Sequence, residues 1–215
     1  MQNIHIATII IIAANVIISL KGFKDYRFFE KYKFNIAGIR KGEQIRMLSS
    51  GFLHADYNHL IFNMLTLYFF AGVVIAYVGV TQFVLIYLAS LLLGNLLSFY
   101  FHKNEFHYSA VGASGAVMGI LYAAILFIPN QNLYLFFAIP IPAWIFGVAY
   151  LLYSIYGMKN KLGNIGHDAH IGGAIGGYVL TILFAPSLLE TSLWIVVLLA
   201  FPIILLFILY KLGKI

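Results

Sequence analysis

Long apolar runs alternate with short polar connections along most of the chain. An α-helix needs about 20 residues to cross a bilayer, and seven runs approach or reach that length: residues 4–20, 57–79, 82–101, 112–128, 133–156, 169–186 and 192–210. No internal repeat or low-complexity linker interrupts the pattern. It predicts an all-α, polytopic membrane helix bundle that forms a single domain over residues 1–215.

The composition supports a membrane protein and narrows its chemistry. Hydrophobic residues make up 62% of the chain and charged residues 9%, whereas soluble domains carry about 25% charged residues. The first run lacks the cleavage site of a signal peptide, so we expect a retained helix. The absence of cysteine excludes disulfides and thiolate chemistry.

One basic segment, residues 21–56, separates the first run from the second. It holds eight of the 13 Lys and Arg residues, interleaved with aromatic rings: Lys21, Lys24, Arg27, Lys31, Lys33, Arg40, Lys41 and Arg46. This pattern is typical of segments that lie in the head-group layer. With a net charge of +6, it predicts contact with anionic lipid head groups and no nucleic-acid partner. The alternative is a plain solvated loop.

Few polar side chains occur in the apolar runs. Those present lie at the start of every second run. An ionisable group within a membrane span costs about 2.5–3.5 kcal/mol on insertion scales, so such groups tend to be functional. If the helices alternate in direction, the second, fourth and sixth runs begin at the same end of the bundle. The polar residues are then expected to converge in one layer: His54, His59, Asn63, Ser114, His167 and His170.

Helical spacing refines this expectation for the second run. His59 and Asn63 are four residues apart and therefore share one face of the helix. His54 lies five residues before His59, which turns it away from that face by about 140°. We therefore expect a different role for His54.

Small residues predict close packing between the fourth and sixth runs. On the sixth run, Gly173 and Gly177 share a face with His170, and glycines at this spacing allow two helix backbones to approach closely. The fourth run carries Gly112 and Gly115 on either side of Ser114. Packing of the two glycine-rich helices is expected to place His170 beside Ser114.

A serine beside a neutral imidazole is the minimum needed for nucleophilic catalysis, because the imidazole removes the hydroxyl proton as the oxygen attacks. The free amides at a helix N-terminus can stabilise an oxyanion, and His59 and Asn63 could add side-chain donors. Asp168 lies two residues from His170 and would point elsewhere on a helix. The pattern therefore favours a dyad of Ser114 and His170 over a triad.

Each residue also has a structural explanation. A serine in a membrane helix usually bonds to its own backbone, and glycine repeats alone indicate only packing. Four histidines could instead serve metal binding or transport: His54, His59, His167 and His170. The sequence offers no His-Glu-x-x-His motif, cysteine or second carboxylate for such a site, so neither metal nor cofactor is expected. His102 and His107 are interpreted as surface residues.

Three motifs together resemble the rhomboid family of intramembrane serine proteases: HADYNHLIFN (54–63), GASG (112–115) and AHIGGAIGG (169–177). The similarity extends over about residues 46–185. It implies transmembrane proteins as substrates and a six-helix core over about residues 4–186, with an extra helix over about 192–210.

The resemblance also assigns roles to particular residues. Ser114 would be the nucleophile and His170 its general base. His59, Asn63 and the Ser114 amide would form the oxyanion hole. His54 would tie down the first loop, and the stretch from Arg46 would belong to that loop.

Two positions depart from the family's pattern. Met118 and Ile45 stand where many members have an aromatic residue. The residue at the first of these positions often stacks on the catalytic histidine, so His170 is expected to be held less firmly. A non-catalytic, rhomboid-like binder of membrane helices remains the alternative function, although such proteins lose the serine or the histidine.

The orientation in the membrane is contested by two arguments. If the helices alternate, all 13 Lys and Arg residues lie at the Ser114 end of the bundle, which the positive-inside rule assigns to the cytoplasm. The rhomboid resemblance implies that this end is extracytoplasmic. We expect the family's orientation, in a bacterial plasma membrane.

Overall fold

Seven helices of 14 to 23 residues dominate the part of the chain that the computed structural model describes, namely residues 4–135, 138–163 and 165–215. They are α1 (Ile6–Lys24), α5 (Tyr57–Val78), α6 (Val80–His102), α7 (Ser114–Phe127), α8 (Ala143–Asn160), α9 (His167–Phe184) and α11 (Leu193–Lys211). Four of them, α1, α5, α6 and α11, are long and apolar enough to cross a membrane. The predicted all-α polytopic bundle is confirmed, while the number of spans stays a prediction.

Shorter elements fill the connections. Four are short helices: α2 (Tyr26–Tyr32), α3 (Ile36–Arg40), α4 (Arg46–Ser49) and α10 (Leu188–Thr191), with a 3₁₀ turn at Ser50–Phe52. The short strands β1 (Phe34–Asn35) and β2 (Ser109–Ala110) pair antiparallel, with Phe34 opposite Ala110. The basic segment is therefore folded and joined to the loop before α7.

The fifth apolar run differs from the prediction. Instead of a helix from residue 133, the chain forms an antiparallel hairpin of β3 (Asn132–Leu135) and β4 (Ile139–Pro142), and α8 begins only at Ala143. Pro140 and Pro142 explain the difference, because proline lacks the N–H that a helix interior requires and its ring clashes with the preceding turn. A proline just before the first helical residue, by contrast, is well tolerated.

Arg46 holds the basic segment together. Its guanidinium donates to the carbonyl oxygens of Glu30 and Lys33 at 2.8 and 2.9 Å, and it forms an ion pair with Glu43. The side chain is only 12% exposed. These contacts join α4 to the backbone around α2; a supporting role of Arg46 for the site stays a prediction.

The helices α6, α7 and α9 pack with their backbones in contact. A Cβ atom on Gly173 would overlap the backbone of Gly115, and one on Gly177 would overlap the backbone of Gly119. On the other side of α9, a Cβ on Gly172 would lie 2.6 Å from the Leu93 carbonyl oxygen of α6. Since α7 is buried along nearly its whole length, these contacts fix its position against α9.

Candidate functional site

An open cavity of about 1490 Å³ borders the side of α7 that faces α5 and α8. Ser114 and His170 line one end of it, and Leu133 of the hairpin lines the other. Most of its wall is apolar, with Phe69 and Phe146 among the lining residues. The convergent polar side chains therefore lie at one end of a long apolar cleft.

Ser114 is the first residue of α7, and Ala113 is the N-cap. The backbone of Gly112, which precedes the N-cap, shapes the surroundings of Ser114. Gly112 adopts a φ of +134°, which side-chain-bearing residues rarely adopt. A Cβ there would lie 2.6 Å from Cε1 of His59 and 3.6 Å from Oγ of Ser114. Gly112 thus leaves room for the His59 ring beside the start of α7. The first N–H groups of α7 have no partner inside the helix.

His170 lies in the first turn of α9 and is 8% exposed. The Gly173–Gly115 contact, one turn below, brings its helix against the start of α7. The His170 Nδ1 atom is 2.8 Å from the hydroxyl oxygen of Tyr150 on α8. Tyr150 could not be identified from the sequence, because nothing in its spacing distinguishes it among the 15 tyrosines.

His59 and Asn63 both line the cavity end that holds Ser114, as their spacing predicts. The α5 helix that carries them is capped by Asp56, whose carboxylate accepts from the His59 N–H at 2.8 Å. Asn63 is 7% exposed, yet its Nδ2 has no hydrogen-bond partner among the described residues. An unpaired buried donor is costly, so this amide is suited to an acceptor that enters the cavity.

His54 is fully buried and connects three segments. The Ala113 N–H donates to its Nε2 (3.4 Å), so Nδ1 carries the proton and donates to Ser19 of α1 at 2.8 Å. The Ser19 hydroxyl then donates to the Phe52 carbonyl. Burial lowers the pKa of His54 to about 3, which keeps the ring neutral. His54 therefore fixes the residue before Ser114 rather than facing the hydroxyl.

The remaining candidates lie outside this group. The Asp168 carboxylate is buried 3.4 Å from Nε2 of His102, and the His102 ring stacks on Tyr108. The expectation that His102 is a surface residue holds only in part, because its side chain is 21% exposed and also pairs with the buried Asp168, whereas His107 is exposed. His167 is buried beside the Leu162 carbonyl oxygen. Within the described residues, no three His, Cys, Asp or Glu side chains are grouped to hold a metal ion.

Comparisons with known proteins consistently identify similarity to rhomboid proteins. The sequence model of the Rhomboid domain matches residues 41–187. RHOMBOID-like protein 12, mitochondrial, of Arabidopsis thaliana is 27% identical over 181 residues, which is 77% of this chain and 54% of that protein.

Two proteins of Bacillus subtilis (strain 168) are also similar. Rhomboid protease GluP is 34% identical over 142 residues, 65% of this chain and 26% of that protein. Putative rhomboid protease YdcA is 28% identical over 148 residues, 68% of this chain and 70% of that protein. The chain spans about half the length of the mitochondrial relative.

Proposed function

Because the chain belongs to the rhomboid family, we propose that it is an intramembrane serine endopeptidase. In this proposal residues 1–215 form one catalytic membrane domain. The main support for the proposal is that one end of a single cavity is lined by four polar residues: Ser114, His170, His59 and Asn63. Some relatives are named as proteases, which agrees with this chemistry.

The proposed reaction uses Ser114 as nucleophile and His170 as base. The Ser114 oxygen attacks the carbonyl carbon of the scissile peptide bond, while its proton moves to Nε2 of His170. That proton then passes to the leaving amine as the acyl-enzyme forms. Water, activated by the same imidazole, hydrolyses the ester and regenerates the hydroxyl. No metal or cofactor takes part in this scheme.

The negative charge that develops on the substrate oxygen has donors nearby. The proposed oxyanion hole consists of the Ser114 backbone N–H, the Asn63 side-chain amide and the His59 ring. The unpaired Asn63 Nδ2 supports this assignment, because preorganised donors stabilise charge without reorganising during the reaction. The N-terminus of α7 adds the favourable end of its helix dipole.

The shape of the cavity suits a membrane-embedded substrate. Residues of α5 and α8 contribute to its walls, which are mainly apolar, and it reaches from Ser114 to the hairpin at the other end of α7. We propose transmembrane segments of other proteins as substrates, cut near the polar end of the bundle. The apolar length would hold the segment while the backbone near Ser114 is cleaved.

The decisive experiment is labelling with an alkyl fluorophosphonate, which reacts with an activated serine. We expect the purified protein in detergent to be labelled at Ser114, and the label to be lost in Ser114→Ala and His170→Ala. Ser109→Ala is the matched control, since Ser109 also lines the cavity, and it should remain labelled. Absence of label on the folded wild-type protein would support the non-catalytic binder instead.

The chain is a multi-pass membrane protein, and its orientation is a further part of the proposal. Several contacts gather the basic connections at the Ser114 end: Arg40 donates to the Lys103 carbonyl, and Lys161 lies 3.9 Å from Glu105. The positive-inside rule would make this end cytoplasmic. Following the family, we propose that it faces away from the cytoplasm, with residues 21–56 against anionic head groups. The matched relatives include mitochondrial and bacterial proteins, so they give no support to a bacterial plasma membrane.

Single cysteines test the orientation directly, because the chain contains none. Asn160→Cys lies at the Ser114 end and Gln131→Cys at the other, and both native side chains are exposed. In intact bacterial cells expressing the protein, a membrane-impermeant maleimide should label position 160 and not 131. The reverse pattern would show that the charge rule decides the orientation.

A further inference from the structure

The two ring nitrogens of His170 have different surroundings. Nδ1 lies 2.8 Å from the Tyr150 hydroxyl oxygen, and the ring is 8% exposed. Within the described residues, Tyr150 is the only hydrogen-bond partner found for this ring. A tyrosine hydroxyl can donate to Nδ1 or accept from it, and the direction of this bond is linked to which ring nitrogen carries the proton. Tyr150 is therefore placed to select the tautomer of His170.

We infer that Tyr150 is the positioning residue of the base, a role that rests on the proposed function. To accept the Ser114 proton, Nε2 must carry the lone pair, so the neutral ring holds its proton on Nδ1. The Tyr150 oxygen accepts that N–H. When Nε2 becomes protonated, the Nδ1–H bond to Tyr150 persists, and Tyr150 itself keeps its proton throughout.

The other candidates for this role are occupied or unsuitable. Asp168 is turned to His102 at 3.4 Å, and His167 contacts the Leu162 carbonyl through Nε2. Met118, which lies one turn after Ser114 on α7 and also lines the cavity, offers only a thioether, which is a weak acceptor. A neutral hydroxyl thus stands where a carboxylate would complete a triad.

The α8 helix holds Tyr150 in place. One turn earlier, Phe146 stacks on Tyr150 with ring centroids 5.6 Å apart and planes 18° apart. Between them on the helix, the Gly147 carbonyl accepts from the Tyr122 hydroxyl of α7. Tyr150 is thereby tied to the helix that carries Ser114, although it belongs to the other wall of the cavity.

Tyr150→Phe tests the inference, with Tyr153→Phe as the matched control. Tyr153 lies one turn away, is 45% exposed and packs against His167 instead. Losing a buried acceptor should lower the kcat of Tyr150→Phe about 10–100-fold, with KM nearly unchanged. Tyr153→Phe should keep the kcat of the wild type. Cleavage of a reconstituted transmembrane substrate gives both constants.

A spectroscopic measurement separates positioning from simple packing. In protein labelled with ¹⁵N-histidine, the His170 signals, assigned by their loss in His170→Ala, should show Nδ1–H in the wild type and in Tyr153→Phe. Tyr150→Phe should convert the ring wholly or partly to Nε2–H. A wild-type ring that carries its proton on Nε2 would overturn the inference, and this result needs no variant to fold.

Two further outcomes are decisive. If Tyr150→Phe keeps the kcat of the wild type and the Nδ1–H tautomer, Tyr150 does not position His170. If activity and thermal stability fall together while the tautomer is unchanged, its role is structural and the inference is wrong. If the tautomer changes as expected but Ser114 is never labelled by fluorophosphonate, the proposed hydrolysis fails while the contact to His170 stands.

Discussion

The two sides of α7 are built differently. Towards α9, glycines leave no side chain at the closest points of contact, so that Gly115 and Gly119 meet Gly173 and Gly177 backbone to backbone. Towards α5 and α8, large side chains such as Phe69 line an open cavity of about 1490 Å³. The side of α7 that faces α9 is fixed by backbone contact. The side that faces α5 and α8 leaves room for a second molecule.

This difference separates two requirements of the proposed chemistry. A nucleophile and its base must be held within about 0.5 Å of their productive geometry, and the glycine contact between α7 and α9 restrains the helices that carry Ser114 and His170. A substrate helix needs space and unpaired donors, which the cavity and Asn63 supply. Changes on the packed side should therefore damage the whole protein, whereas removal of an unpaired donor on the open side should affect turnover alone.

The largest effect is expected for Gly173→Ala. Its added Cβ would overlap the Gly115 backbone, and backbone cannot yield as a flexible side chain does. The two helices must separate, so we expect stability to fall by about 3 kcal/mol or more. Activity should be lost together with stability. Thermal unfolding in detergent and substrate cleavage measure the two effects.

Gly166→Ala is the matched control for this change. It adds the same methyl group near the start of α9, where the nearest atom would be the Ala169 Cβ at 3.6 Å, an ordinary contact. Its stability and activity should stay close to those of the wild type. If Gly173→Ala kept the stability and activity of Gly166→Ala, the contact between α7 and α9 would accommodate a methyl group, and the contrast between the two sides of α7 would be wrong.

Much of this arrangement could be predicted from local pattern. The spacing of Gly173 and Gly177 indicates a close helix contact, and four-residue spacing places His59 and Asn63 on one face. Both inferences depend only on helix geometry. The alternation of helix direction then places the polar residues of the second, fourth and sixth runs at the same end of the bundle.

Other features depend on information that hydrophobic pattern does not contain. The pairing of β3 with β4 could not be predicted, because this part of the sequence is as apolar as a membrane helix and only Pro140 and Pro142 mark the break. The contact between Tyr150 and His170 joins residues 20 positions apart on different helices, so it depends on how α8 is rotated. The pairing of His102 with Asp168 was not expected, because Asp168 lies on α9, far from His102 in the sequence although α6 and α9 are packed together.

A smaller effect, confined to turnover, is expected on the open side for Asn63→Ala. Asn63 has a buried, unpaired Nδ2, so its removal breaks no hydrogen bond of that donor within the described residues. Loss of one oxyanion donor typically lowers kcat by about 10²–10³-fold. We expect this loss with little change in KM or in thermal stability. Steady-state kinetics and thermal unfolding on the same preparation check both expectations.

Asn95→Ala supplies the contrast, because Asn95 of α6 is a buried amide whose donor is already paired. Its Nδ2 donates to the Met47 carbonyl at 2.7 Å and to the Ser50 hydroxyl at 3.1 Å, so its loss should lower stability by about 1–3 kcal/mol. The two alanine variants should therefore differ: Asn63→Ala should lower kcat, and Asn95→Ala should lower thermal stability. If Asn63→Ala raised only KM, Asn63 would be a substrate contact. If it lowered only stability, the cavity donor would be structural, and the open side would no longer differ in kind from the packed side.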